Sequence, residues 1–155
     1  QAIKQFDPMI TIDKYKELEA KLKGYQAKLP AAIKEVERLA EMGDFSENAA
    51  YQMAKGRMRS LHYRSAEVED RLKHAQIIDT NKNKDRVEVG HQVLVELSGK
   101  KKTFIILGST ETDPAAGVIS RHSPLGLALL GAKVGEIVEV MLGNRLVKYK
   151  IIEIK

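Results

Sequence analysis

Two long series of apolar residues, at alternating three- and four-residue spacing, dominate the first half of the chain. The first runs from Tyr15 to Leu39, and the second from Tyr51 to Ala75 with one polar interruption at Ser65. Such spacing places a single apolar stripe along each helix, with Lys, Glu and Arg on its flanks. Two stripes joined by a short connector predict an antiparallel coiled-coil hairpin, in which helices of about 30 residues would each be about 45 Å long.

The carboxyl half has a different periodicity. Partly alternating, β-branched runs predict four strands, and "SGK" and "GN" between them are turn signals. In "SPLGLALLG", Ser123 can cap a short helix that has Pro124 at its first position. The predicted fold is therefore α+β, with a helical arm at residues 1–79 and a small, mainly antiparallel β domain at residues 80–155. The four runs are "HQVLVEL", "KTFIILG", "EIVEVML" and "LVKYKIIEIK".

Composition excludes several classes of protein and of site. The chain has no Cys, so disulfides, thiolate metal sites and thiol nucleophiles are excluded. Its longest apolar stretch, near Leu125–Ala132, is too short for a membrane span, and "QAIKQFDPMIT" lacks the apolar region of a secretory signal. We therefore expect a cytoplasmic protein. The net charge of +5 is compatible with a nucleic-acid or acidic-protein partner, and equally with plain solubility.

The connector between the predicted helices, "EMGDFSENAAYQ" at residues 41–52, contains Glu41, Asp44 and Glu47 but no base. Asp44 can cap the second helix, and Glu47 can complete a capping box three residues later. Alternatively, carboxylates at this spacing have Cβ atoms about 5–6 Å apart and can converge on a hard cation such as Mg²⁺. Two ligands are too few to hold Mg²⁺, so a partner would have to supply the others.

Several bases follow the acidic connector on the second predicted helix. We call Lys55, Arg57 and Arg59 the basic collar. An acidic tip in front of a basic collar suits an arm that enters a partner's cavity, with the bases near phosphates and the acids near a metal. A solvated helix face is the alternative interpretation. The four histidines show no metal-ligand spacing, and we expect each at the surface or on a helix flank: His62, His74, His91 and His122.

Several stretches resemble one family in the same order along the chain. "GDFSENAAYQ" resembles the "GD-x-SENA-x-Y" tip of the Gre transcript-cleavage factors, which rescue backtracked bacterial RNA polymerase. "PMITIDKYKELEAKL" is similar to the opening segment of that family, "LKHAQIID" to the end of its second helix, and "ISRHSPLGLALLGAKVGEIVEV" to its carboxyl-domain sequence. The resemblance covers most of the chain and implies a carboxyl domain with a fold like that of FK506-binding proteins.

The resemblance also implies a partner and a mechanism. The two tip acids of the family match Asp44 and Glu47, which would help hold a catalytic Mg²⁺ in the polymerase active site, although the isolated protein would not bind the ion. The basic collar would face RNA or polymerase. The chain would thus be an accessory factor, not an enzyme alone, acting as a monomer on the 3′ end of backtracked RNA. Docking on the largest-subunit rim of the secondary channel would involve Ser123, Pro124, Leu125 and Gly126.

Four positions depart from the usual family pattern. Ala50 stands where a third acid is frequent and Phe45 where Leu is frequent, and both leave the acid pair intact. Leu127 replaces a usual Arg or Lys, and His122 a frequent acid, and both bear on docking strength. The A or B subtype stays open.

Two rival functions stay in view. The first is a Gre-like paralogue that occupies the channel without stimulating cleavage, which the retained acid pair disfavours. The second is a prolyl isomerase, suggested only by analogy of fold. Phe104 and Tyr149 are the only aromatic residues beyond residue 80, too few for an aromatic-lined pocket.

Overall fold

The computed structural model describes residues 5–42 and 49–155, and the predicted tip acids Asp44 and Glu47 lie outside these ranges. The chain forms two compact units. One, the helical unit, is Tyr15–His74, and the other, the β unit, joins Gln5–Lys14 to Ala75–Lys155. The predicted α+β fold, a helical hairpin followed by a β domain, is confirmed.

The helical unit is built from two long helices. Helix α1 spans Ile12–Ala40, and α2 spans Ala49–His74. Gln26, midway along α1, donates a hydrogen bond of 3.3 Å from its side-chain amide to the carboxylate of Glu69, near the end of α2, and so joins the two helices. The buried positions all belong to the two predicted heptad series: Leu18, Leu39, Ala54, Ser65 and Val68. Within the part of the chain described, no helix is long and apolar enough to cross a membrane.

Ser65 is a polar residue inside the seam of the hairpin. Its side chain is buried, and its Oγ has no hydrogen-bond partner among the described residues. Because a buried unsatisfied hydroxyl costs about 1–3 kcal/mol, we expect Ser65→Ala to raise the free energy of unfolding of the helical unit by about 1 kcal/mol. Urea unfolding followed by helical circular dichroism measures this, with the exposed Ser60→Ala as the matched control. A lower stability for Ser65→Ala than for Ser60→Ala would contradict the prediction.

The β unit contains a five-stranded sheet made of β3 (Gln92–Leu97), β4 (Lys100–Leu107), β5 (Val118–Ser120), β6 (Ile137–Leu142) and β7 (Arg145–Ile154). The strands lie in the order β5-β4-β3-β7-β6. All neighbours pair antiparallel except β4 and β5, which are parallel. The four predicted strands are present, and β5 is an addition that was not predicted because its three residues are too short to show alternation.

A short helix packs on this sheet and completes the core. Helix α3 spans Pro124–Leu129, and Leu125 and Leu129 lie in the same buried cluster as the inward side chains of the strands. Phe104 and Tyr149 meet edge to face in this core, with ring centroids 6.0 Å apart. Both aromatic residues are thus used in packing, which removes them as the lining of an isomerase pocket.

The amino-terminal segment belongs to the β unit, whereas the sequence predicted a division between residues 79 and 80. The two-residue strand β1 (Met9–Ile10) pairs in parallel with β2 (Gln76–Ile77), and both are too short to show a period. Gly108 lies against this segment so closely that a Cβ there would be 2.0 Å from the carbonyl oxygen of Met9. The segment is therefore packed against the end of β4.

The expected surface position was wrong for His91, which is fully buried. Its Nδ1 accepts a hydrogen bond of 2.9 Å from the backbone N–H of Glu88, so Nδ1 carries no proton. The reason is visible in the sequence, because His91 precedes Val93 and Val95 at a spacing of two, and these valines are also fully buried. Alternation therefore points the imidazole into the core.

Candidate functional site

The loop between β5 and α3 is shaped by one serine. The Ser123 Oγ donates a hydrogen bond of 2.7 Å to the Ser120 carbonyl oxygen and accepts one of 3.0 Å from the backbone N–H of Gly126. Ser123 is thus the N-cap of α3 and Pro124 occupies the first position, as predicted. Because its hydroxyl is already engaged twice, the contribution of Ser123 to a docking surface is to hold the loop in shape.

The four residues that the resemblance assigns to docking differ in exposure. Leu125 and Gly126 are buried beneath the loop, whereas Pro124 is exposed. A Cβ on Gly126 would lie 2.1 Å from the carbonyl oxygen of Ser120, so only glycine fits there. The neighbouring Leu127 is 61% exposed, a large apolar side chain that faces solvent. The structure therefore leaves Pro124 and Leu127 available to a partner, while Leu125 and Gly126 act in packing.

A buried carboxylate lies beside this loop, and sequence reasoning missed it. The Asp7 side chain is 2% exposed and accepts two parallel hydrogen bonds from Arg121, of 3.0 Å from Nε and 2.9 Å from Nη2. The backbone N–H groups of Met9 and Ser109 donate two more, of 3.0 and 2.9 Å. His122 Nε2 lies 3.6 Å from the same carboxylate. No local pattern could have revealed a pair whose members are 114 residues apart in the sequence.

The surroundings of Asp7 favour its ionised form. Burial by itself would raise the pKa of the carboxyl, but the hydrogen bonds from Arg121, Ser109 and Met9 outweigh it. Together with the charge of Arg121 they hold the pKa of Asp7 well below its usual range. The carboxylate is therefore charged at any pH at which the protein works.

Linkage converts this shift into a pH dependence of stability. A carboxylate whose pKa is depressed by folding stabilises the fold above its unfolded pKa of about 3.9, and this contribution is lost as pH falls towards the folded pKa. We expect Asp7→Asn to lower the free energy of unfolding of the β unit by about 2 kcal/mol near neutral pH, which is less than the roughly 3–5 kcal/mol for a fully buried pair because Arg121 is partly exposed. Below about pH 4 the difference from the unsubstituted chain should shrink.

Denaturant unfolding at a series of pH values tests this expectation. Asp85→Asn provides the control, because Asp85 is exposed and its carboxylate accepts a hydrogen bond of 2.8 Å from the side-chain amide of the nearby Asn83. A stability difference for Asp7→Asn that stayed constant down to low pH would show that the carboxylate charge is not what stabilises the site.

A second carboxylate holds the amino-terminal segment at its other end. Glu111 accepts hydrogen bonds of 2.7 Å from both the backbone N–H and the Oγ1 of Thr11. The Thr11 Oγ1 in turn accepts one of 3.2 Å from the N–H of Lys14, which makes Thr11 the cap of α1. The hydrogen bonds of Asp7 thus hold one end of residues 7–11 against the rest of the β unit, and those of Glu111 hold the other end.

The structure separates the members of the basic collar. Lys55 and Arg59 are one turn apart on one face of α2, and the Lys55 ammonium lies 5.2 Å from the centre of the Tyr51 ring. Arg57 points to the opposite flank of the helix. On that flank Arg57 is near Glu35 of α1. The hydrogen bond from Arg38 lowers the pKa of Glu35, and the charge of Arg57 lowers it further. Lys55 and Arg59 thus form one basic face, and Arg57 belongs to a different one.

The predicted metal-binding acids fall between the helices. Helix α1 ends at Ala40 and α2 is described from Ala49, so Asp44 and Glu47 occupy the segment that connects them. Carboxylate oxygens are the ligands that Mg²⁺ prefers, and the pair can supply two of them. Across residues 5–42 and 49–155, no group of three or more His, Asp or Glu side chains is arranged to hold a metal ion.

Comparison with known proteins places both halves of the chain in one family. The family described as "Transcription elongation factor, N-terminal" matches residues 8–77, and "Transcription elongation factor, GreA/GreB, C-term" matches residues 82–155. The chain belongs to the Gre family of transcription elongation factors. Together the two Gre matches cover α1, α2, the segment that joins these helices, and the five-stranded sheet of the β unit.

Individual Gre relatives are similar over most of their length. The transcription elongation factor GreA of Clostridium acetobutylicum is 38% identical over 151 residues, covering 95% of this chain and 96% of the relative. GreA of Thermomicrobium roseum is 38% identical over 128 residues, covering 81% and 82%. Among solved structures, Gfh1 of Thermus thermophilus matches at 24% identity with a TM-score of 0.44, covering 96% of this chain and 99% of the other. A GreA/GreB factor from Nitrosomonas europaea matches at 19% identity with a TM-score of 0.43, covering 97% and 99%.

Proposed function

We propose that this chain binds bacterial RNA polymerase at its secondary channel and stimulates the polymerase's own cleavage of the 3′ RNA in backtracked complexes. The observation that carries the proposal is the acid pair Asp44 and Glu47, retained in the segment between two long helices of a Gre-family chain. Helices of 29 and 26 residues, each about 40 Å long at about 1.5 Å per residue, would allow the segment that joins them to enter a narrow channel. The catalytic centre would belong to the polymerase, so the chain is an accessory factor.

The two acids would act by adding negative charge and oxygen ligands to the partner's active site. Mg²⁺ is usually bound by one or two carboxylates and completes its octahedral shell with other ligands, so Asp44 and Glu47 would share the ion with the polymerase. When bound, the ion would supply Lewis-acid chemistry at the RNA phosphodiester, and Asp44 and Glu47 would help to hold it there. The basic face formed by Lys55 and Arg59 would lie towards the phosphates of the RNA or towards polymerase, with Arg57 on the other flank.

Docking would rest on the exposed part of the loop at α3. Pro124 presents an apolar ring to solvent and fixes the start of the helix, so Pro124→Ala should remove both contact area and preorganisation. We expect polymerase affinity to fall about 5- to 10-fold, equivalent to about 1 kcal/mol. Competition binding to core polymerase measures this. Pro114→Ala is the matched control, since Pro114 is also exposed and begins a short 3₁₀ helix of the same unit. Equal effects of both variants would contradict docking through α3.

The rival within the family is a paralogue that occupies the channel and inhibits polymerase. A stalled, backtracked polymerase complex with 5′-labelled RNA separates the two functions. The proposal predicts that the chain shortens the RNA and allows elongation to resume after nucleotide addition. RNA of unchanged length together with slower nucleotide addition would instead support the inhibitory paralogue.

A further inference from the structure

Asp7 is connected to the docking loop by more than its ion pair with Arg121. The Ser109 Oγ lies 3.2 Å from the Asp7 carboxylate and 3.0 Å from the Ser120 Oγ. The Ser120 Oγ accepts a hydrogen bond of 3.1 Å from the backbone N–H of His122. A continuous chain of hydrogen bonds therefore runs from the amino-terminal segment to the residue that precedes the α3 cap.

The ionised carboxylate gives this chain a single direction. A carboxylate only accepts, so the Ser109 hydroxyl must donate to Asp7. Ser109 then has only lone pairs left for Ser120, and the Ser120 hydroxyl must donate to it. The Ser120 oxygen in turn accepts from the His122 N–H. Every donor from His122 to Asp7 is thus oriented towards one charge, an arrangement in which successive hydrogen bonds strengthen one another.

Ser120 also fixes the loop to Ser123, the N-cap of α3. The carbonyl oxygen of Ser120 accepts hydrogen bonds from the backbone N–H and the Oγ of Ser123, at 3.0 and 2.7 Å. The backbone N–H of Arg121 donates to the carbonyl oxygen of Leu107, at 2.8 Å. The sheet therefore holds the backbone of residues 120–123 through Leu107, and Asp7 holds their side chains through Arg121 and Ser109.

We propose that Asp7 is a positioning residue for polymerase docking, which sets the conformation of residues 120–127 through Arg121, Ser109 and Ser120. This inference rests on the proposed function, because it assigns a task to Asp7 within that docking surface. The hydrogen bonds and ion pairs of the Asp7 carboxylate are made with residues other than Pro124. Its effect should be seen in how well the loop is preorganised, and so in affinity, without a change in the chemistry of cleavage.

Asp7→Asn in the full chain is the direct test. Asparagine keeps the size of the side chain but removes the charge, and its amide cannot accept at both positions that Arg121 addresses. We expect amide hydrogen exchange at Ser123, Gly126 and Leu127, whose N–H groups are hydrogen-bonded, to speed up at least about 10-fold more than exchange in β3 and β7, which rises only with the general loss of stability. In the backtracked-complex assay, the concentration for half-maximal cleavage should rise about 10-fold, with the maximal rate within twofold. Asp85→Asn should change neither quantity.

Arg121→Lys provides a second variant in case Asp7→Asn does not fold. Lysine retains the charge but not the planar two-point fork, so the same local change in exchange is expected on a smaller scale. Unchanged exchange at residues 123–127 in a folded Asp7→Asn chain would overturn the inference. An increase in exchange of the same size at these residues and throughout the sheet, in both variants, would do so as well, because Asp7 would then serve general stability alone.

The design keeps the two proposals apart. If the unsubstituted chain stimulates no cleavage, the proposed function fails regardless of the exchange data. If the unsubstituted chain stimulates cleavage and the Asp7→Asn chain has the same half-maximal concentration, only the positioning role fails.

Discussion

Replacing Asp44 with Asn and Glu47 with Gln in one chain is expected to lower polymerase-dependent RNA cleavage by at least about 100-fold, because Lewis-acid stabilisation is worth several kcal/mol. These substitutions preserve size and much of the capping capacity but remove the charge that Mg²⁺ requires. If the acids only cap α2, the cost should be about 1 kcal/mol of helix stability, with cleavage nearly intact. The single-turnover cleavage rate at saturating factor distinguishes these outcomes.

Glu41 provides a matched control for this double variant. It is an exposed acid that follows α1, close in sequence to the pair. Glu41→Gln should leave the cleavage rate within about twofold if two specific ligands, and not the overall negative charge, are required. A double variant that binds polymerase normally and cleaves at the unsubstituted rate would falsify the delivery of acids to the active site.

Gly126→Ala is expected to damage the docking surface more severely than Pro124→Ala. The added methyl group would lie 2.1 Å from the backbone oxygen of Ser120, so either the loop or α3 must move. We expect the free energy of unfolding of the β unit to fall by about 3 kcal/mol, in the upper range for overpacking. Polymerase binding should weaken by more than the 10-fold limit expected for Pro124→Ala.

Gly56→Ala is the control for this substitution. Gly56 lies inside α2 with open space where its Cβ would be, so alanine should stabilise the helical unit by about 0.5–1 kcal/mol. Chemical denaturation and polymerase affinity are measured for both variants. A Gly126→Ala chain as stable and as tightly bound as the unsubstituted protein would show that α3 adapts to the methyl group.

The long and strongly periodic elements could be predicted from the sequence. The heptad series identified α1 and α2, and alternation identified β3, β4, β6 and β7, because a buried stripe repeats often enough to be recognised. The cap of α3 was also predictable, since Ser123 and Pro124 act within one turn. Each of these elements is specified by residues close together in the chain.

Elements specified by distant partners could not be predicted. The two-residue strands β1 and β2 have no period, and they pair Met9 with Gln76, two residues that lie far apart in the sequence. Likewise, nothing near Asp7 identifies Arg121 as its partner. His91 is different, because its alternation with the buried Val93 and Val95 in the sequence does indicate an inward position.

The candidate site likewise has features that could be predicted from the sequence and features that only the structure shows. Motif resemblance selected Ser123 to Gly126 as a group, but only packing separates the exposed Pro124 from the buried Leu125 and Gly126. The basic collar was predicted as one set, whereas helix geometry turns Arg57 away from Lys55 and Arg59. Chemical type is visible in a sequence, but the face on which a side chain lies depends on its neighbours.

The Mg²⁺ dependence of cleavage tests most directly the claim that this chain shares a metal ion with polymerase. Backtracked complexes are titrated with Mg²⁺ without factor, with the unsubstituted chain at saturation, and with the Asp44→Asn, Glu47→Gln chain at saturation. Two added carboxylate ligands should lower the half-saturating Mg²⁺ concentration, while the double variant should follow the factor-free curve and regain part of its lost rate at high Mg²⁺. Identical half-saturating Mg²⁺ concentrations for the unsubstituted and double-variant chains would contradict the shared ion.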